Sequence, residues 1–331
     1  MISYSIKNLF FKESLLRLII TSFLILTFIF DFFDKIEIYY GIDLIKLNRY
    51  LKLAFLTYIV VFIMTHMRYL INQIMPFVYV VLAVSIIFLL KYNGFYLDEF
   101  LRYFFTLIIF PLIYYAYLNK NKKAFYPFYL ALKYFIIVNS VAVLLGILFE
   151  INVFYSYQAK RFGYNGFILT QGVTAYIYAT AAIVFIKYRN KNMIALTLLL
   201  SLVTGIKGVY FVQFSIISLL LLFNQKISKS HKVKALLGIL IIFITSIVLL
   251  FLVSPFKEIL RSKGMLSAIF SYRLDNLFEV IDTLNPLNYS IWLGSLTLTK
   301  IRLELQLVDI LLFFGFFGLL SYLYFFSFLF N

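Results

Sequence analysis

The sequence predicts an all-α, polytopic membrane protein, a bundle of about ten spanning helices with one long loop on its outer face. Hydrophobic residues fill 63% of 331 positions and charged residues only 13%, against roughly half and a quarter in soluble globular chains. Apolar runs of roughly 17–20 residues recur along the whole length, enough to cross a ~30 Å hydrocarbon core as helices. These runs lack the period-2 alternation of a barrel strand. Lipid offers no partner to an unpaired backbone group, so helices are the remaining solution.

In chain order the spans fall near 16–34, 51–66, 74–91, 101–118, 128–149, 169–187, 193–206, 208–224, 235–254 and 307–330. The first follows Lys7, Lys12 and Arg17 and ends in Asp31-Phe32-Phe33-Asp34 rather than at small residues. It therefore reads as a retained span, not a cleaved signal peptide. Three short connections are basic: Lys120, Lys122 and Lys123; Lys187, Arg189 and Lys191; and Lys226, Lys229, Lys232 and Lys234. Strict alternation puts all three on one side together with the N-terminus and Arg68. That side holds twice as many Lys and Arg as the short loops opposite, which makes it the cytoplasmic side and places both termini there.

The outer face then receives a first loop at 150–168, a tight turn at Thr204-Gly205-Ile206-Lys207-Gly208, and a large loop at 254–306 that carries the only tryptophan, Trp292. The large loop keeps Ile, Leu and Phe throughout, so short amphipathic helices on the outer membrane surface are expected. No repeat or low-complexity linker divides the chain, and residues 1–331 read as one membrane domain.

Cysteine is absent and the histidines are only His66 and His231. That excludes disulfides and leaves no zinc, iron–sulfur or haem ligand set, so no metal or cofactor is expected. The net charge of +16 sits in short clusters between apolar runs. The cations therefore face membrane lipids as partners rather than nucleic acid.

Chemistry is expected on the outer face. Lys160, Arg161, Lys207, Lys257, Arg261, Lys263, Arg273, Lys300 and Arg302 lie there, against the orientation rule. A guanidinium binds phosphate oxygens bidentately, so an anion site is one reading. Solvated loop charge with snorkelling to headgroups is the other. Lys207 stands out by position, since Gly205 and Gly208 let the backbone bend and approach a ligand closely. Arg161 opens Arg161-Phe162-Gly163-Tyr164-Asn165-Gly166, and the chain re-enters the membrane at Gly172. A cation beside aromatics and glycines suits a sugar phosphate, while Tyr155, Tyr157 and Tyr164 equally suit an interfacial belt. Glu258, Asp275, Glu279, Asp282 and Glu304 are the outer carboxylates, any of which is placed to act as a general base. The helical spacing of Asp275, Glu279 and Asp282 also fits a wet helix face.

With these residues in place, the chain resembles the O-antigen polymerase (Wzy-type) family and its relatives the O-antigen ligases, over most of its length from the fifth span onward. Arg161 and Gly172 are separated by ten residues, as in the Arg-x10-Gly pattern of that family's first large periplasmic loop. Thr204-Gly205-Ile206-Lys207-Gly208 is similar to its Thr-Gly-Ser-Arg-Gly segment, with lysine for arginine. Ser271-Tyr272-Arg273 resembles its Ser-x-Arg start of the second loop region. Trp292-Leu293-Gly294, Glu304 and Gly315-Phe316-Phe317-Gly318 follow in the usual order. Leu284 replaces the glycine of a second Arg-x10-Gly copy, Gly294 lacks the following Gly-x-Gly, and the chain has one further span where many relatives continue.

The resemblance implies a GT-C-like membrane glycosyltransferase in a bacterial plasma membrane. It would polymerise undecaprenyl-pyrophosphate-linked oligosaccharide units into O-antigen or capsule, with a flippase and a chain-length regulator as partners. It implies that Arg161, Lys207, Arg273 and Arg302 bind pyrophosphate, that Gly172, Gly205 and Gly208 allow close backbone approach, and that Glu304 positions or deprotonates the acceptor hydroxyl. Two alternatives stand beside it. An O-antigen ligase carries a histidine in its large outer loop, and none is present here. A polysaccharide-unit flippase or transporter would show repeat halves or ionisable residues along several spans.

Overall fold

The computed structural model describes residues 13–42, 47–48, 50–65, 86, 126–158, 162–223, 228–252, 256–270, 273–283, 290–294 and 306–330. Among them the regular elements are all helical and no strand occurs. In chain order they are α1 (Glu13–Tyr40), α2 (Tyr50–Thr65), α3 (Tyr126–Phe149), a single 3-10 turn (Asn152–Phe154), α4 (Gln171–Lys187) and α5 (Lys191–Val203). Then come α6 (Lys207–Phe223), α7 (Lys229–Phe251), α8 (Phe256–Phe270), α9 (Arg273–Thr283) and α10 (Gln306–Phe330). The predicted spans 74–91 and 101–118 lie outside the described residues, and each of the others overlaps a helix.

Three stretches, Tyr126–Phe149, Lys229–Leu249 and Leu307–Tyr324, are long and apolar enough to cross a membrane. On α7 no residue of that stretch is buried, and Leu237, Ile241, Ile242 and Val248 are all exposed. A helix apolar on every side is stable only where something other than water covers it, and lipid does so.

Other predicted spans are shorter than expected. α5 has 13 residues, which at 1.5 Å per residue is about 20 Å and falls short of a ~30 Å core. Its ends explain this. The Asn190 side chain accepts from Met193 N at 3.2 Å and fixes the start. At the other end Thr204 turns its hydroxyl back onto Ser201 O at 2.8 Å, and Gly205 takes φ +63°. A glycine at positive φ is an ordinary helix stop.

The chain divides into two compact units, Met1–Phe55 with Asn121–Glu258, and Leu56–Lys120 with Ile259–Asn331. In the first, α4 packs against α3, α5 and α6, with α1 on α3 and α7 on α6. Leu132, Ile136 and Val143 of α3 meet Tyr178, Ala181 and Phe185 of α4, Met193 and Leu200 of α5, and Val209 of α6. Between helices in lipid the favourable term is close packing rather than water release, which suits the small Ala181 and Ala182 on α4.

In the second unit the region predicted as amphipathic helices contains α8, kinked at Gly264, and α9. α10 is also kinked, at Gly315 with φ +64°. The kink releases two backbone donors that the Ser290–Gly294 turn accepts: Phe316 N to Ile291 O at 3.0 Å and Phe317 N to Trp292 O at 3.2 Å. A Cβ at Gly294 would strike the Phe313 backbone, and one at Gly315 the Trp292 backbone. Gly315→Ala is therefore expected to destabilise by about 2–4 kcal/mol, combining left-handed strain with overpacking. Gly238→Ala on α7, where a Cβ meets nothing within 4 Å, should be neutral or stabilising by up to about 1 kcal/mol. Thermal melting of the purified protein checks both.

Candidate functional site

The first outer loop begins where α3 ends, at Glu150 with φ +51°. Its 3-10 turn leads to Tyr155, which bridges to Tyr164 across the loop. The two rings stack at 4.6 Å between centroids. Burial, aided by the Tyr155 hydroxyl, pushes the Tyr164 phenol up to about 12, so it remains a proton donor at neutral pH. Ser156 N donates to Gly163 O at 2.9 Å and closes the hairpin.

This hairpin is laced to the turn between α5 and α6. Tyr164 N donates to Val203 O at 3.0 Å, and the Ser156 hydroxyl donates to Thr204 O at 2.7 Å. Gly163 at φ +131° and Gly205 at φ +63° form the crossing itself. A Cβ on Gly163 would strike the Thr204 carbonyl, and one on Gly205 would strike the Phe162 carbonyl. Only two glycines permit this approach. Lys207 follows directly as the first residue of α6, half-buried, with its ammonium 5.9 Å from the centroid of the Phe251 ring at the end of α7. A cation at the positive end of a helix is unfavourable for that helix, and no acidic residue occupies the first turn of α6. The helix dipole therefore does not account for Lys207.

A cation that the sequence reading passed over lies beneath the loop. Lys35 of α1 is 1% exposed, and its ammonium donates to Asn165 Oδ1 and to Gly166 O, each at 2.7 Å. Both acceptors are neutral. Asn165 in turn donates to Ile168 O at 3.0 Å and to the Thr174 hydroxyl at 3.1 Å. Tyr39, one turn after Lys35, donates to Tyr155 O at 2.8 Å, and Gln158 donates to Ile38 O at 2.9 Å. Beside this, Asn139 of α3 accepts from Phe167 N and donates to the Tyr178 hydroxyl, and Gln213 donates to Tyr178 O. The end of α1, the first loop, the α5–α6 turn and the end of α7 thus meet at one end of the unit.

The predicted site residues separate into groups. Gly205, Gly208 and Lys207 share the turn, and Phe162, the neighbour of Arg161, lies against Gly205. Arg161, Arg302 and Glu304 themselves lie outside the described residues, as do Lys160 and Lys300. Arg273 opens α9 in the second unit, half-buried. On α9 Glu279 and Asp282 are exposed, while Asp275 accepts from the Ser267 hydroxyl at 3.2 Å. Within the protein itself, close packing requires a glycine at Gly205, where a Cβ would strike the Phe162 carbonyl, and not at the other two. A Cβ at Gly172 meets nothing within 4 Å, and one at Gly208 makes ordinary contact with Ala175 at 4.0 Å. Both sit in the first turns of their helices, with open space beside them.

Lys35 escaped the sequence reading because its partners are 130 and 131 residues away. The available signal was a lysine set among Asp31, Asp34 and Glu37 at the end of a mainly apolar helix, a position that calls for a partner. Comparison with protein families, with curated proteins and with solved structures returns no match to this chain.

Proposed function

We propose that this chain is a polytopic glycosyltransferase that joins oligosaccharide units carried on undecaprenyl pyrophosphate, in the manner of an O-antigen polymerase. The observation that carries the reading is the Gly163–Gly205 crossing, which holds the segment following Arg161 against the turn that presents Lys207. A half-buried cation on a turn braced by a loop about 40 positions earlier suits a charged ligand better than scattered surface charge does. The stacked Tyr155 and Tyr164 rings add flat apolar faces of the kind sugars pack on.

In the reaction, a sugar hydroxyl of one unit attacks the anomeric carbon of the glycan on the other carrier. The carbon–oxygen bond to pyrophosphate breaks, and the hydroxyl proton passes to a base. Pyrophosphate leaves with its electron pair, so stabilising that departing charge and holding the two reactants in line are the main demands on the protein. Lys207 and Arg161 are assigned to the departing charge. Arg273 and Arg302 as further pyrophosphate ligands, and Glu304 as base, rest on the family resemblance alone.

Deletion of the gene is expected to collapse a ladder of surface glycan to single-repeat material on a sizing gel, and the wild-type gene to restore it. An unchanged ladder would refute the proposal. Loss of surface glycan with long polymer retained on its carrier would indicate ligation instead. The buried chain Lys35–Asn165–Thr174, with Asn139, Tyr178 and Gln213 beside it, favours a second reading, a transporter for such units. For that reading, single units accumulate on the cytoplasmic side.

A further inference from the structure

Lys35 is among the largest fully buried side chains in the described chain. Burying an ammonium is costly unless its hydrogen bonds are well made, so its retention calls for a reason. Its two acceptors, Asn165 Oδ1 and Gly166 O, belong to the same short segment, and both bonds are 2.7 Å. The Tyr39 ring lies 5.6 Å from the ammonium and so contributes a second favourable contact to the charge. One end of the loop is thus fixed by Lys35 and the other by Tyr39 and Gln158, which bond Tyr155 O and Ile38 O. Between those anchors lies the hairpin whose Gly163 crosses Gly205.

We infer that Lys35 is a positioning residue: from within α1 it clamps Asn165 and Gly166, and so sets the first loop against the turn that presents Lys207 to a pyrophosphate-bearing lipid. The inference rests on the proposed anion site, and it adds to that site a determinant in a helix the family resemblance does not reach. A nitrogen carrying several N–H donors suits the task, because it reaches two acceptors at once. Gly166 adopts φ +63°, and a Cβ there would strike Asn139 Oδ1, so the segment held by Lys35 has little freedom to settle elsewhere.

The chain has no cysteine, so a Phe162→Cys substitution gives a single thiol reporter at an exposed side chain beside the crossing. In this background Lys35→Met is expected to raise the maleimide labelling rate about tenfold as the loop loosens. In the full chain without the reporter, in phosphatidylcholine nanodiscs, the same change should weaken binding of undecaprenyl pyrophosphate about tenfold or more. Lys35→Arg, which keeps the charge and the donors, should bring both readouts back to within about threefold of wild type. A lysine that only supported the fold would lower the melting temperature without weakening binding by the protein that remains folded, whereas a positioning lysine changes labelling and binding there.

Should Lys35→Met fail to fold, the double variant Lys35→Met/Asn165→Leu replaces the buried Lys35–Asn165 pair by apolar side chains, at the cost of the Asn165 bonds to Ile168 O and the Thr174 hydroxyl. It should fold, label fast and bind weakly. A folded Lys35→Met or double variant that labels and binds as wild type does would overturn the positioning role while leaving the anion site standing. Failure of the wild-type protein itself to bind undecaprenyl pyrophosphate would overturn the anion site, and the role of Lys35 toward it.

Discussion

Gly205→Ala should lower the stability of the protein by about 2–5 kcal/mol and abolish its activity, the largest effect expected of any single methyl group at the site. Two independent costs combine. An alanine held at φ +63° carries roughly 1–2 kcal/mol of left-handed strain. Its Cβ would also strike the carbonyl of Phe162, and forcing backbone apart in a packed interior costs about 1–3 kcal/mol more. The neighbouring segment cannot yield cheaply. Gly163 is held by Ser156 N at 2.9 Å, and Tyr164 N by Val203 O at 3.0 Å. Relaxation would therefore break the bonds that join the loop to the turn. Gly172→Ala and Gly208→Ala are the controls, because each adds a methyl to a helical turn with room for it. Both should melt within about 1 kcal/mol of wild type. Equal damage at all three positions would mean that the crossing is not the tight point.

The contrast among these glycines measures what was legible in the sequence. Composition and apolar runs revealed the helical class, because lipid and packed protein impose a pattern that each run carries locally. The glycine-flanked turn at 204–208 was legible for the same reason, since a turn is a local event. Which glycine was indispensable was not. Gly205 is constrained by Phe162 and Gly163, which lie some forty positions earlier, whereas Gly172 meets nothing. The early end of α5 was missed because apolar side chains continue through Leu202, Val203 and Ile206, while Thr204 and Gly205 stop the backbone. The polar interior was the least visible part. Asn139, Asn165, Thr174 and Gln213 are ordinary residues in sequence and become a network only when α1, α3, α4 and α6 are assembled. A buried polar group is read from its partner, and a partner at long range leaves no local mark.

Lys207→Glu is expected to lower glycan polymerisation at least about a hundredfold in protein that still folds. Two of the stability terms oppose one another. Losing the ammonium near the Phe251 ring, 5.9 Å from its centroid, costs about 0.5–1 kcal/mol. A carboxylate in the first turn of α6 returns about 0.3–1 kcal/mol through the helix dipole. The catalytic terms do not cancel. A cation assigned to a departing pyrophosphate is worth about 3–4 kcal/mol at the transition state, as other fixed charge-stabilising groups are. Its replacement by an anion adds repulsion to that loss. Lys207→Arg, which restores the cation found at the corresponding position of the resembled motif, should retain activity within about tenfold. Ladder length in cells expressing each variant, read beside melting curves of the purified proteins, checks the pair. A glutamate variant that folds and still polymerises would remove Lys207 from the chemistry and leave it as a lysine anchoring the turn at the membrane surface.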